Sequence, residues 1–262
     1  MGSKGPKVIS VTNQKGGVGK TTTAVNLAAA LVVKGKRVLI VDLDPQGNAS
    51  TSLGVDNQER KRSSYDLLVG EDTLNSVILE LKTEGLFLVP STVELSSVDF
   101  ALSNKNNAIR HLSSKIGKNN LGSYKLDYIL IDCPPSLNLL TLNALVASDT
   151  VLVPLQAEFL PLEGLSQLML SVKHIRETEN SKLRFEGIVL TMFDRRNNLC
   201  WQVEEDVRET LTGLVYSAVI PRSVKLSEAP SYGQSIFDYS PRSRGALAYK
   251  ALASELIEQN ST

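Results

Sequence analysis

Two cysteines, two histidines and one tryptophan stand among 262 residues, while lysine plus arginine and aspartate plus glutamate balance at 28 each. Each shortage removes a class of protein. Cys133 and Cys200 form no C-x-x-C pair, which argues against a disulfide framework or a cysteine-built zinc or iron–sulfur site within one chain. His111 and His174 are too few for a histidine metal cluster. A formal net charge of zero leaves no global field to draw the chain onto nucleic acid or anionic lipid, so any such binding needs a local patch. No apolar run approaches the ~20 residues of a membrane span, and no signal peptide precedes the first strand pattern. Residues 1–6 read as a flexible lead-in or an expression scar, and proline at position 6 disfavours myristoylation. These absences point to a cytoplasmic protein.

What is present is an ordinary globular composition, 42% hydrophobic and 21% charged, which excludes a disordered chain. Apolar bursts alternate with helical patterns from end to end. Strands are expected at 7–12, at "RVLIVDLD", and at 85–90, 126–135, 149–156, 185–193 and 213–220. Helical periodicity is clearest at 137–147, 163–178, 198–211 and 243–258, and "TTTAVNLAAALVVKG" carries an apolar stripe at Val25, Ala28, Ala29 and Val32. Strands and helices alternating at this length predict an α/β fold, a mostly parallel twisted sheet with helices on both faces. With no Pro-, Gly- or Ser-rich linker and no repeat, a single domain over residues 7–258 is expected.

Between the first strand and the first helix lies "VTNQKGGVGKTTT". Its Gly16, Gly17, Val18, Gly19, Lys20, Thr21 and Thr22 have the form of a phosphate-binding loop. Glycines let backbone N–H groups turn toward a polyphosphate, and the helix that follows adds its positive end. Lys20 is expected to reach the β/γ-phosphates and the Thr21 hydroxyl to bind Mg²⁺. The usual first glycine is replaced by Gln14, and Lys15 adds a second cation five residues ahead of Lys20. Two acidic strand ends support the assignment. Asp42 and Asp44 close the second strand, and "YILID" ends in Asp132, the form of a Walker-B carboxylate.

Together "KGGVGKTTT", "DLDPQGNAS", "LIDCPPSL" and "VIPRSVKLSEAPSYGQSI" resemble the ParA/Soj family of chromosome and plasmid partition ATPases, within the deviant Walker-A group of P-loop proteins. The resemblance runs from about Lys7 to Ile257, nearly the whole chain. It implies ATP and Mg²⁺ as cofactors and a homodimer in the ATP state. Lys15 then corresponds to the signature lysine that crosses the dimer interface to the partner's nucleotide, as a point charge weaker than an arginine fork. Asp44 corresponds to the residue that positions the attacking water, and Asp132 to the one that meets Mg²⁺ through water. The expected catalytic set is Lys15, Lys20 and Asp44, and the expected metal set Thr21, Asp44 and Asp132. Asp42 is read either as part of the metal shell or as structural. Met192 and Pro221 suit the faces of adenine, or equally ordinary packing at strand ends. Hydrolysis by the chain alone is expected to be slow.

The resemblance further implies non-specific binding of double-stranded DNA by the ATP dimer, a nucleoid-associated location, and a ParB/Spo0J-type centromere-binding partner that stimulates hydrolysis. Candidate phosphate contacts are Arg195, Arg196, Arg222, Lys225, Arg242 and Lys250, with Arg244 beside them; Arg196 and Lys225 are favoured, and Arg242 and Arg244 are the weaker ones. Three neighbouring classes fit less well. A MinD-like membrane-cycling ATPase needs a basic amphipathic tail, whereas "ALAYKALASELIEQNST" reads as a packing helix, so no membrane is expected. A nitrogenase iron-protein-like role needs interface cysteines. A small-molecule synthetase needs a second substrate pocket that the sequence does not reveal.

Overall fold

The computed structural model describes residues 5–103, 105, 107–117, 124–158 and 162–261, so residues 1–4 of the expected lead-in fall outside the described residues. The apolar bursts form strands β1 (Lys7–Val11), β2 (Val38–Asp42), β3 (Leu79–Glu80), β4 (Leu86–Val89), β5 (Tyr128–Asp132), β6 (Thr150–Gln156) and β7 (Arg184–Thr191). Every residue of β2, β4 and β5 is buried, the signature of a sheet covered on both faces. Strand order is β3-β4-β2-β5-β1-β6-β7, parallel except where the two-residue edge strand β3 runs antiparallel to β4. The chain moves outward from β1 through β2 and β4, returns as β5, then builds β6 and β7 on the other side of β1. The reversal puts β1 at the switch point, where open α/β sheets collect ligand groups beyond their carboxyl ends.

The helices are α1 (Lys20–Val33), α2 (Asn48–Ser52), α3 (Ser64–Val69), α4 (Leu74–Val77), α5 (Val98–Leu102), α6 (His111–Lys115), α7 (Leu139–Ala147), α8 (Leu162–Thr178), α9 (Asn198–Thr210), α10 (Val224–Glu228), α11 (Ile236–Tyr239) and α12 (Arg244–Ser261). One face of the sheet is covered by α1 and α12, whose Leu27, Leu31, Leu252 and Leu256 share a core with Ile9, Ile40 and Leu130. A Thr23 Oγ1 to Tyr249 hydroxyl bond of 3.2 Å ties the two helices together. On the other face Leu67, Leu112 and Leu140 pack on Leu39, Ile129 and Ile131, and Leu168, Val172, Val203 and Val207 pack on Val151 and Ile188.

The strand expected at 213–220 does not form. That segment runs beside β7 and pairs with it irregularly, through a bridge of Ile188 with Val215 and the Ile220 N–H on the Leu190 carbonyl at 2.8 Å, with a second bridge, Phe193 with Pro221, just past both. The physical reason lies in α12: the Glu255 carboxylate accepts the N–H groups of Ser217 and Ala218 at 2.9 and 3.0 Å, so those donors face a side chain instead of a ladder. The short helices between residues 48 and 115 and the edge strand β3 escaped the sequence pattern, because none is long enough to display a period.

Candidate phosphate site and basic groove

The loop between β1 and α1 owes its shape to two left-handed glycines, Gly17 at φ 74° and Gly19 at φ 85°. Such angles cost a residue with a Cβ about 1–2 kcal/mol. No atom lies within 4 Å of where a Cβ at Gly16 or Gly17 would stand, so one side of the loop backbone is open. The rest is braced. Asn13 receives the Lys15 N–H on its Oδ1 at 3.0 Å and donates Nδ2 to the Pro154 carbonyl at 2.9 Å. Thr191 at the end of β7 donates its hydroxyl to the Val18 carbonyl at 2.8 Å. Sequence reasoning missed both braces; the polar residues were visible, but not their partners far along the chain.

The two lysines of the loop are disposed differently. Lys20 is 7% exposed, and its Nζ donates to the Lys15 carbonyl at 2.9 Å. Burial lowers its pKa, and the nearby Asp132 carboxylate is the main opposing influence. The Lys15 side chain is 49% exposed, with Nζ 3.6 Å from a carboxylate oxygen of Glu158, itself 53% exposed. An ion pair that open to solvent is worth little. Lys15 is therefore held near its own loop by its backbone, while its charge is free to be taken elsewhere.

The acids at the strand ends also part company. Asp42 and Asp132 are register partners on β2 and β5, and both are fully buried. Asp42 is satisfied: it accepts from the Asp44 N–H at 3.2 Å, the Ser50 N–H at 2.9 Å and the Ser50 hydroxyl at 2.7 Å. Of the two readings open for it, the hydrogen bonding favours the structural one. Burial pushes its pKa up to about 6 against those bonds. Both carboxylate oxygens of Asp132 lack a hydrogen-bond partner. Burial, then repulsion from Asp42, raises its pKa well above the carboxylate range. Thr21 lies close enough to oppose that rise but outside hydrogen-bonding geometry. A buried, orphaned carboxylate beside a threonine hydroxyl and an open loop fits a hydrated cation that brings its own phosphate and water ligands. No group of three or more Asp, Glu, His or Cys residues suited to holding a metal occurs among the described residues.

Asp44, 8% exposed, accepts the Gln46 N–H on Oδ1 at 3.0 Å. Met192 has φ 51°, uncommon outside glycine, and its Cε stands 3.8 Å from where a Cβ at Gly19 would be. It therefore flanks the loop. Pro221 lies further along, in a groove of about 1250 Å³ whose lining includes Arg195, Arg196, Arg222, Arg244 and Trp201. This groove joins arginines from three separate segments. Lys225, Arg242 and Lys250 are exposed but do not line it. Lys225 is instead paired with Glu228 at 2.9 Å and sits over the Tyr239 ring. Within the groove the Arg196 guanidinium grips Asp194 through Nε and Nη2 at 3.0 and 2.8 Å, holding that carboxyl down at about 2. Cys133 is buried against the phosphate site, where burial pushes its thiol pKa up, and Cys200 is buried too.

A glycine loop on β1, a lysine buried in it and acids at the ends of the neighbouring strands define an α/β P-loop nucleotide-binding domain. An AAA-domain family model matches residues 6–185. The chromosome partitioning protein ParA of Caulobacter vibrioides is 46% identical over 256 residues, covering 97% of this chain and 94% of that protein. The sporulation initiation inhibitor protein Soj of Bacillus subtilis is 48% identical over 253 residues, covering 95% and 98%. The chain belongs to the ParA/Soj family of partition ATPases. Among solved structures, a cobyrinic acid a,c-diamide synthase from Mycobacterium smegmatis with bound ADP and magnesium superposes with a TM-score of 0.85 at 33% identity, covering 98% of this chain and 96% of that one. The cell division ATPase MinD of Pyrococcus furiosus gives 0.78 at 30% identity, covering 97% and 99%. No described helix is long and apolar enough to cross a membrane.

Proposed function

We propose that this chain binds ATP and Mg²⁺, pairs face to face with a second copy in that state, and binds duplex DNA without sequence preference as the dimer. Hydrolysis, stimulated by a ParB/Spo0J-type partner, returns it to a monomer that releases DNA. The observation that carries this reading is the split between the two loop lysines, Lys20 buried within the loop and Lys15 exposed on a weak ion pair. A cation meant for its own phosphates belongs inside; one meant for a partner's must be free to leave.

In this mechanism the amides of Gly16–Thr22 cradle the phosphates and Lys20 exchanges the Lys15 carbonyl for phosphate oxygens. Thr21, Asp132 and Asp44 would hold Mg²⁺, directly or through water, and the ion when bound neutralises charge on the phosphates. Asp44 orients the attacking water with a carboxylate oxygen. Lys15 of a second copy adds a cation that is present only in the dimer, so hydrolysis depends on assembly. Met192 closes the base side of the loop, with Pro221 beyond it. Arg195, Arg196 and Arg222 take duplex phosphates, supported by Lys225, Arg242 and Lys250 on the adjoining surface. If each half of the dimer neutralises about three phosphates, the salt slope is about −5.

Binding of a random-sequence duplex at low salt, with ATP, a slowly hydrolysed analogue, ADP or no nucleotide, tests the cycle. Retention only with the triphosphates, lost steeply with salt, supports it. Lys20→Ala is expected to abolish ATP binding, whereas Lys15→Ala keeps it and loses the dimer in sedimentation. A Lys15→Ala protein that dimerises with ATP as well as the parent does removes the trans-lysine step.

A further inference from the structure

Arg60 lies outside every motif that marks the phosphate site, yet it is 7% exposed and makes four hydrogen bonds. Its Nε and Nη2 donate to the Val55 carbonyl at 3.1 and 2.8 Å, Nη2 also to the Thr51 hydroxyl at 2.8 Å, and Nη1 to the Ser91 carbonyl at 3.1 Å. None of these partners is a carboxylate. A buried guanidinium spent on neutral oxygens is a costly arrangement unless it fixes something in place.

What it fixes can be followed atom by atom. Ser91, just past β4, donates its hydroxyl to the Asp44 carbonyl at 2.5 Å and its N–H to the Ser50 hydroxyl at 3.0 Å. Ser50 in turn holds Asp42, which accepts the Asp44 N–H. On the other flank the Thr51 hydroxyl donates to the Gly47 carbonyl at 3.0 Å, and the Gly47 N–H donates to the Asp44 carbonyl at 2.8 Å. Gly47 has φ 60°, and a Cβ there would stand 2.3 Å from Arg60 Nη1, so the guanidinium lies directly against that turn. Asp44 is thus gripped at both its N–H and its carbonyl, and Arg60 joins the two flanks of the grip. Its charge also favours the ionised form of Asp42 without touching it.

We propose that Arg60 is a positioning residue: by bridging Ser91 and the 47–55 turn it fixes the backbone of Asp44 and hence the place of the Asp44 carboxylate beside the phosphate loop. Its consequence for hydrolysis rests on the role assigned to Asp44 above; the clamp itself does not. Three readouts on Arg60→Met, Arg60→Lys and Asp44→Ala separate these. ATP affinity of Arg60→Met is expected to stay within about threefold of the parent, while single-turnover hydrolysis on DNA falls about 10- to 100-fold, the signature of a misplaced reacting group. Arg60→Lys keeps the charge but loses the fork, and is expected to fall between. Amide hydrogen exchange is expected to quicken in residues 44–52 and 91 and to stay unchanged in β1 and β5. Exchange that is unaltered at 44–52, or faster everywhere alike, overturns the positioning role. Should Arg60→Met not fold, Ser91→Ala cuts the bond to the Asp44 carbonyl while leaving the Arg60 acceptor, and must show the same local exchange. If Asp44→Ala hydrolyses at the parental rate, the catalytic reading of Asp44 fails, and the exchange result still decides the clamp.

Discussion

Replacing Asp132 with asparagine should make the nucleotide-free protein more stable at neutral pH while removing its response to Mg²⁺. Asp132 is fully buried, both oxygens lack a hydrogen-bond partner, and burial outweighs the attraction of Lys20, the smallest of the influences on its charge. Its folded pKa therefore lies above the unfolded value of about 3.9. The folded chain holds a proton there that the unfolded chain has released, so stability is full below about pH 4 and declines as pH rises through the folded pKa. Asparagine has no proton to lose. The two proteins should unfold alike near pH 4 and diverge toward neutrality. Asp42, pushed up to about 6, repels Asp132, so the difference between the two proteins reports Asp132 together with its coupling to Asp42.

Asparagine still leaves a buried polar group unpaired, so the gain is what a charged group costs beyond a neutral one, about 1–3 kcal/mol. A domain of this size gains about 2–4 °C per kcal/mol, so the variant should melt about 2–12 °C higher at neutral pH. Saturating Mg²⁺·ATP stabilises the parent by about 2.7 kcal/mol at a hundredfold excess over Kd, and the Mg²⁺-dependent part of that gain should vanish in the variant. Scanning calorimetry across pH, with and without Mg²⁺ and ATP, measures both. An Asp132→Asn protein that melts below the parent at neutral pH without nucleotide would refute the premise that this carboxylate is held at a cost for a cation.

Three further outcomes are expected. Gly233→Ala puts a Cβ 2.6 Å from the Gly54 Cα at φ 62°, backbone against backbone, and should destabilise the fold by about 2–4 kcal/mol in denaturant titration; a smaller loss would mean the turn relaxes. Asp194→Asn frees the Arg196 guanidinium and should tighten duplex binding severalfold at low salt, whereas Arg196→Ala should lower the salt slope by about 0.9 in fluorescence anisotropy. An unchanged slope removes Arg196 from the interface. Cys133 and Cys200 are both buried, so a thiol reagent should label neither in the native protein and both after denaturation.

Much of the site was legible because its chemistry is local. A glycine loop needs its glycines adjacent, a helix start needs Lys20 and Thr21 in order, and a strand-end acid follows its apolar run. The expected helices at 137–147, 163–178, 198–211 and 243–258 correspond to α7, α8, α9 and α12 within three residues at each end. The segment at 213–220 misled for a non-local reason, since Glu255, far along the chain, takes the N–H groups a strand would have used.

By itself, then, the sequence determined the alternation that makes a parallel sheet, the phosphate loop on its first strand, and the acids beside it, because each depends on residues close together in the chain. Tertiary structure alone decided what those residues are free to do. Asp42 and Asp132 are the same residue type at the same register, yet one is satisfied by Ser50 and the other left without a partner. Lys15 and Lys20 share one loop, yet only Lys20 is buried. Arg60 reaches Ser91, and four arginines from three segments meet in one groove, through contacts no local pattern encodes. Burial and partner geometry belong to the folded chain, and they separate residues that the sequence writes alike.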